Sequence, residues 1–306
     1  MLLVAIIVQN AIVLAMLAAI FFAPAMPRQQ AIYFIIAATA VLLGFLLAGV
    51  WVYPPTAGGF LYILLLAGAS IRFYRRSLIV NKRPDPKNAV LALFLVGFAS
   101  VLIWQGIGGR ISPDTAHVDL AAPLPEGDRY CALSAGASTA LNLHFAEGSS
   151  TGASFEKHSV DFVRHNALGF RTVLETSWHP KPRDPARYAV FGAPVFAPCT
   201  GKVLQSENEK PDLPAGHRYR SSSGANLVVL QCKNIEVVMA HLKRGSVQVE
   251  EGVTVSVGQM LGRVGNSGNT EEPHLHINAQ RSLPDGRKVP VPMRFGGRYL
   301  VRGDCL

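Results

Sequence analysis

Gly265-Asn266-Ser267-Gly268-Asn269-Thr270-Glu271-Glu272-Pro273-His274-Leu275-His276 is the stretch on which the reading of this 306-residue chain turns. Two glycines and a proline mark its first part as a sharply turning loop. Its end reads as a strand, along which alternation sends His274 and His276 to one face and Leu275 to the other, into a core. A His-x-His pair on one strand face supplies a metal with one ligand and its chemistry with a second imidazole.

Outward from the triplet lie more short strands. Residues 227–230, 235–239, 253–257 and 260–264 each read as one, with Gly-rich turns between them. No segment after 108 carries a long 3.6-residue apolar period. The region 129–306 is therefore expected to be an all-β, β-rich two-sheet domain. His241 follows the strand 235–240 and can reach the same face as the His pair. All nine histidines fall after residue 107.

The first third has a different character. Four apolar runs, at about 2–22, 31–53, 59–71 and 89–107, predict about four membrane-spanning helices in region 1–107, the third of them short. This region holds seven of the 29 basic residues and one of the 20 acidic ones. Arg72, Arg75, Arg76, Lys82, Arg83 and Lys87 cluster between the third and fourth runs, which places that loop in the cytoplasm. Alternation then puts Arg28 inside, Pro54-Pro55 outside, and everything after Ile107 outside. No charge precedes Arg28, so the first run lacks the basic start of a cleaved signal peptide. No chain of intramembrane ionisable residues suggests a transporter. The helices read as an anchor in the lipid bilayer with room for membrane partner proteins. The expected location is the bacterial inner membrane, multi-pass, with the C-terminal domain periplasmic.

Residues 108–128 are rich in Pro, Gly and small residues and read as a linker. Beyond 107 the chain has 22 basic and 19 acidic residues and no basic block, which excludes a nucleic-acid partner. Four cysteines, Cys131, Cys199, Cys232 and Cys305, are compatible with disulfides in an extracytoplasmic setting or with four buried thiols. Cys131 and Cys305 bracket the domain and could clasp its ends. None forms a C-x-x-C pair, which argues against a cysteine zinc site.

Residues 265–276 resemble the signature of the lysostaphin/LytM-type zinc metallopeptidases. Three further segments match in order: 192–203, 224–230, and Ala240-His241-Leu242 followed by 252–259. The resemblance has its core at about 190–280. It implies that 192–203 is a strand-turn-strand with Gly201 at the hairpin. It implies Zn2+ as cofactor and peptidoglycan as substrate. His276 would ligate the metal, while His241 and His274 would sit near the nucleophilic water and the scissile carbonyl.

A catalytic zinc takes three protein ligands and keeps one position open. The family draws two of them from His-x-Gly-x-Asp, and no such motif precedes Gly192. Asp161, in Glu156-Lys157-His158-Ser159-Val160-Asp161-Phe162, is the candidate acidic ligand. The remaining ligand lies between two residues. His158 is near in sequence but three before Asp161, on the opposite strand face unless a bulge intervenes. His144, in Asn142-Leu143-His144, would return through a hairpin at 147–152. His165 and His179 lie in an insertion at 163–188, and His217 in a loop at 205–223; both segments could shape a groove.

Two functions are carried forward. One is a membrane-anchored zinc metalloendopeptidase that hydrolyses peptidoglycan cross-links or stem peptides. The alternative is a metal-free, degenerate domain of the same fold that binds or regulates cell-wall hydrolases.

Overall fold

The computed structural model describes residues 2–51, 56–126, 129–145, 156–166, 169–173, 182–217 and 224–306. The chain divides into two compact units, Met1–Gly108 and Gly109–Leu306. Pro54-Pro55, the 147–152 hairpin and His179 lie outside the described residues.

The first unit has four helices: α1 (Leu2–Phe22), α2 (Arg28–Ala48), α3 (Thr56–Ser77) and α4 (Pro86–Gly108). Among the described residues, three segments, Val4–Phe22, Arg28–Ala48 and Pro86–Gly108, are long and apolar enough to cross a membrane. The third run forms a 22-residue helix, but Arg72, Arg75 and Arg76 occupy its last turns and lower its apolar character. The expectation of four spans therefore depends on α3. Arg72 Nε donates to the Phe21 carbonyl at 3.4 Å and Arg76 Nη1 to that of Ala23 at 3.3 Å. Gln30 Nε2 donates to the Asp85 carbonyl at 2.6 Å. These bonds gather the ends of α1 and α3 and the starts of α2 and α4 at one basic end. The side-chain oxygens of Gln9 and Asn10 are paired: Gln9 Oε1 accepts from Val50 N at 2.8 Å, and Asn10 Oδ1 from the Tyr62 hydroxyl at 2.7 Å. Leaving such an oxygen unpaired in an apolar setting would cost several kcal/mol, on the order of 2–7.

The second unit is built on strands β1 (Val118–Leu120), β2 (Tyr130–Ser134), β3 (Val160–Arg164), β4 (Pro194–Phe196), β5 (Gly201–Glu207), β6 (Leu227–Cys232), β7 (Ile235–Ala240), β8 (Thr254–Val255), β9 (Met260–Arg263), β10 (Leu275–Ser282), β11 (Lys288–Val291) and β12 (Met293–Phe295). One eight-stranded sheet runs β2-β3-β10-β7-β6-β5-β8, with β11 added to the end of β10. Two small pairs, β1-β12 and β4-β9, complete the β-rich architecture.

Alternation explains which face is which. Leu275, Ile277 and Ala279 of β10, Ile235, Val237 and Met239 of β7, and Val160 and Phe162 of β3 all enter one apolar core. Leu120, Val195, Leu261, Met293 and Phe295 from the small pairs close that core from the other side. Each such side chain, fully buried, contributes about 1.5–3 kcal/mol. The residues between them, Asp161 and His276, are forced onto the opposite face of the large sheet.

Two expectations change in detail. Within the expected linker 108–128, residues 118–120 form β1, and Leu120 and Leu124 are buried in the core. Proline there shapes a packed segment: the Pro123 carbonyl accepts from Phe196 N at 2.8 Å. Nor does Gly201 make a hairpin. β4 pairs with β9 and β5 with β6, so the two strands flanking it belong to different sheets. Glycine is required at 201 because a Cβ would lie 2.4 Å from the Gln231 carbonyl oxygen. The cysteines form two disulfides, Cys131–Cys305 and Cys199–Cys232.

Candidate functional site

The site is assembled by strand register. β10 runs antiparallel between β3 and β7, with His276 directly opposite Asp161 on one side and Ala240 on the other. Asp161 and His276 therefore share a face, and Asp161 Oδ1 lies 2.9 Å from His276 Nδ1. His144 joins them from the segment before β3. Its Nε2 is 3.2 and 3.0 Å from the two Asp161 oxygens, and its ring stacks edge-on against His276 at 4.8 Å. A buried amide holds that segment in place. Asn142 Oδ1 accepts from His144 N at 3.0 Å, and its Nδ2 faces the carbonyls of Gly136 and Ser159 at 3.2 and 3.1 Å.

Between the two sequence candidates, the structure brings His144 to Asp161 and leaves His158 apart. His158 packs on Phe145 with ring centroids 6.3 Å apart and belongs to neither metal-capable group among the described residues. Burial, and then the Lys157 charge, push its imidazole down to about 4.

His241 and His274 stand on the other side of His276. His241 follows β7 in left-handed backbone, φ 63°, which few non-glycine residues adopt. That twist turns its ring toward His274, with centroids 4.7 Å apart. His241 Nδ1 lies 2.8 Å from the Ser267 carbonyl, and His274 Nδ1 lies 2.8 Å from the Glu272 carbonyl. A carbonyl only accepts, so both Nδ1 atoms carry the proton and both Nε2 atoms present lone pairs. His274 Nε2 is 3.6 Å from Asp161 Oδ1.

Burial sets the charge states. For Asp161, burial opposes ionisation, yet the imidazoles of His144 and His274 and the hydrogen bonds from His144 and His276 hold its pKa well below the usual carboxylate range. Burial drives His274 down to about 4; Asp161 pulls it up, while His276, His144 and Arg171 push it further down. His241 is likewise driven well below the usual value, by burial and then by its His274 and His276 neighbours. The pair is held neutral, with both Nε2 lone pairs presented to the site.

Two overlapping groups could hold a cation: His144, Asp161 and His276, and His241, His274 and His276. The first suits zinc. It offers two imidazole nitrogens and one carboxylate oxygen, the borderline donor set that ion prefers. Zinc bonds of about 2.0–2.1 Å in a tetrahedron put neighbouring donors about 3.3 Å apart, close to the 2.9, 3.0 and 3.2 Å seen here. His276 Nε2 is buried without a hydrogen-bond partner among the described residues, so nothing else ties that ring down. Glu156 Oε2 stands 4.0 Å from His144 Nδ1, a charge contact beyond hydrogen-bond reach.

Glu156 was not evident from sequence, because 146–155 separate it from His144 and no spacing rule links the two. The buried pair of Arg171 and Glu272 was equally hidden. Glu272 sits in the decisive loop, but its partner comes from the 163–188 insertion.

The loop before His274 is confined. A Cβ on Gly265 would lie 2.4 Å from the Lys243 backbone, so only glycine fits. Asp212 laces the 205–223 loop onto it, accepting from Asn266 N at 2.6 Å and from Arg244 N at 3.1 Å.

Parts of the chain are similar to known proteins. Residues 187–290 match the model of peptidase family M23. A peptidoglycan DD-endopeptidase of Vibrio cholerae serotype O1 is 28% identical over 151 residues, 48% of this chain and 32% of the relative. The chain thus spans about a third of the length of that curated relative. The solution structure of lysostaphin is similar at 20% identity and TM-score 0.28, covering 44% of this chain and 40% of its own. A zinc-containing peptidase from Vibrio cholerae is similar at 19% identity and TM-score 0.25, covering 43% of this chain and 48% of its own. With His144, His241, His274 and His276 gathered beside Asp161 and residues 187–290 matched from before β4 into β11, this segment of the C-terminal unit resembles peptidase family M23, the lysostaphin/LytM-type family.

Proposed function

We propose that the protein is a membrane-anchored zinc metalloendopeptidase acting on the peptide bonds of peptidoglycan. The observation that carries this reading is the convergence of His144 Nε2 and His276 Nδ1 on the Asp161 carboxylate, at 3.0–3.2 and 2.9 Å. His144, Asp161 and His276 would hold the metal. When bound, zinc supplies Lewis acidity, which polarises a carbonyl and makes water a nucleophile near neutral pH. Asp161, ionised, keeps negative charge at the ligand set. The neutral Nε2 atoms of His241 and His274 accept the proton from the attacking water. Once protonated, either can donate to the leaving amide nitrogen or stabilise the developing oxyanion.

The substrate follows from the family and from the relative's activity on peptidoglycan. Apolar helices of spanning length support an anchor in a bilayer. Two disulfides fit an oxidising, extracytoplasmic compartment, where that polymer lies. The alternative of a metal-free domain gives no purpose to three convergent donors beside two neutral imidazoles, at a positive-φ histidine.

The test is zinc content and muropeptide cleavage by the full chain in detergent. One zinc per chain and loss of cleavage in His276→Ala support the reading. A protein that binds no zinc at neutral pH, or cleavage that survives His276→Ala, sinks it.

A further inference from the structure

We propose that Arg171, outside the family-matching segment, is a positioning residue for His274 that acts through Glu272. This rests on the peptidase reading of the site and adds a part to it.

Arg171 Nη1 and the Glu272 carboxylate form an ion pair in which both residues are 5% exposed. The same residue, Glu272, offers its backbone carbonyl to His274 Nδ1 at 2.8 Å. Thr270 Oγ1 donates to that carbonyl at 2.7 Å and lies 3.2 Å from His274 Nδ1. Only Pro273 separates the carbonyl from His274, and its fixed φ leaves the link few ways to rotate. Where the Glu272 side chain goes, the acceptor that fixes the His274 tautomer goes too.

The other end of the pair is held as firmly. Ala189 N donates to the Arg171 carbonyl at 2.9 Å, and Val173 N to that of Arg187 at 2.9 Å. Asn166 Oδ1 accepts from Phe170 N at 3.0 Å, and its Nδ2 donates to the Thr172 carbonyl at 3.1 Å. These bonds brace residues 170–173, from which Arg171 meets the loop of the His-x-His triplet. Neighbouring bonds stitch the same elements: Gly216 N donates to the Glu271 carbonyl at 2.7 Å, and Ala215 N to the Arg183 carbonyl at 2.7 Å.

A pair that only stabilised the fold would leave the His274 ring and the turnover number alone once the protein was folded. A positioning pair predicts otherwise. The test compares the full chain in detergent with Arg171→Met, Arg171→Lys, Glu272→Gln and the Arg171→Met/Glu272→Gln double variant. Ring-15N histidine spectra report the His274 tautomer. In the wild type, His274 reads as Nδ1-protonated. In Arg171→Met, that signal shifts toward the other tautomer or broadens, kcat falls about 10–100-fold with KM within about threefold, and zinc stays at one per chain. Arg171→Lys, which keeps charge and folds with less disturbance, recovers part of kcat and the native ring signal. The double variant loses no more than the worse single. An unchanged His274 signal in folded Arg171→Met overturns the proposal, as do additive losses or departure of zinc. If the wild type neither binds zinc nor cleaves muropeptide, the peptidase reading fails by itself, and the ring spectra still decide whether Arg171 fixes His274.

Discussion

Asp161 and His276 stand directly opposite each other on β3 and β10, and their side chains meet at 2.9 Å. The contact is a consequence of register. A slip of one residue between these strands would send Asp161 into the apolar core and bring Phe162 or Val160 to the site. Val160, Phe162, Leu275 and Ile277 are each at most 5% exposed, so such a slip would set a carboxylate among apolar side chains without its histidine partners. Core packing on one face of the sheet thus places the metal-capable groups on the other.

The first prediction distinguishes the two candidate histidines. His144→Ala and Asp161→Ala each lower zinc affinity by more than about 100-fold, beyond the effect of losing an outer-shell partner. His158→Ala leaves it within a few-fold. Chelator competition with the purified full chain measures all three. Zinc retained by His144→Ala and lost by His158→Ala would reverse the assignment.

Proton-handling residues behave in the opposite way. His241→Ala and His274→Ala keep zinc at one per chain while kcat falls about 10²–10⁴-fold. Metal analysis alongside muropeptide turnover reads both quantities. Loss of zinc in either variant would mean that the His241–His274–His276 group holds the metal instead.

Acid sensitivity is the third expectation. Burial lowers His158 and His165 to about 4 from 6.5; the Lys157 charge adds to it at His158, and Arg171 and Arg129 at His165. Above pH 6.5 neither the folded nor the unfolded state binds these protons, and stability is complete. Between 6.5 and about 4 the unfolded chain takes up protons that the folded chain refuses, so stability falls with pH. His165 Nε2 is buried without a hydrogen-bond partner among the described residues, so His165→Gln flattens this acid slope. Denaturation followed from pH 7.5 to about 4.5 checks it. A slope equal in both proteins would refute it.

Sequence carried the β-rich domain and much of the site because both depend on local pattern. Alternation put Leu275 inside and His274 and His276 together, and β6, β7 and β9 form within a few residues of where their apolar runs predict. What stayed hidden depends on contacts across long separations. His144 reaches Asp161 through a segment with no spacing rule, and what sets it there over His158 is Asn142, whose side chain links the His144 backbone N–H to the Ser159 carbonyl, a contact that no local pattern encodes. Gly201 looked like a turn residue, but its role is close approach to Gln231. Pro and Gly at 108–128 read as linker because composition does not show that Leu120 and Leu124 are buried. Arg171 and Glu272 are each ordinary surface types in sequence, and only folding brings them together out of water.

The last prediction concerns the domain's ends. The C-terminus lies along β2: Ala132 N donates to the Asp304 carbonyl at 2.8 Å and Leu306 N to that of Tyr130 at 3.0 Å. The Cys131–Cys305 disulfide fastens this edge across 174 residues, whereas Cys199–Cys232 spans 33. Because closing a longer loop constrains the unfolded chain more, the first bond contributes more stability, within the usual range of about 2–5 kcal/mol. Its position matters as well. β2 pairs with β3, and Ser134 is in register with Asp161. Loosening the clasp therefore loosens the strand that carries the carboxylate. Cys131→Ser/Cys305→Ser, with both thiols removed to avoid a reactive leftover, should lower both the melting temperature and zinc affinity. Cys199→Ser/Cys232→Ser acts on β6, two strands from β10, and should lower the melting temperature while leaving zinc affinity nearly unchanged. Scanning calorimetry and chelator competition on both double variants measure the contrast. Equal effects on zinc would show that the clasp stabilises the domain as a whole and does not reach Asp161 through β2.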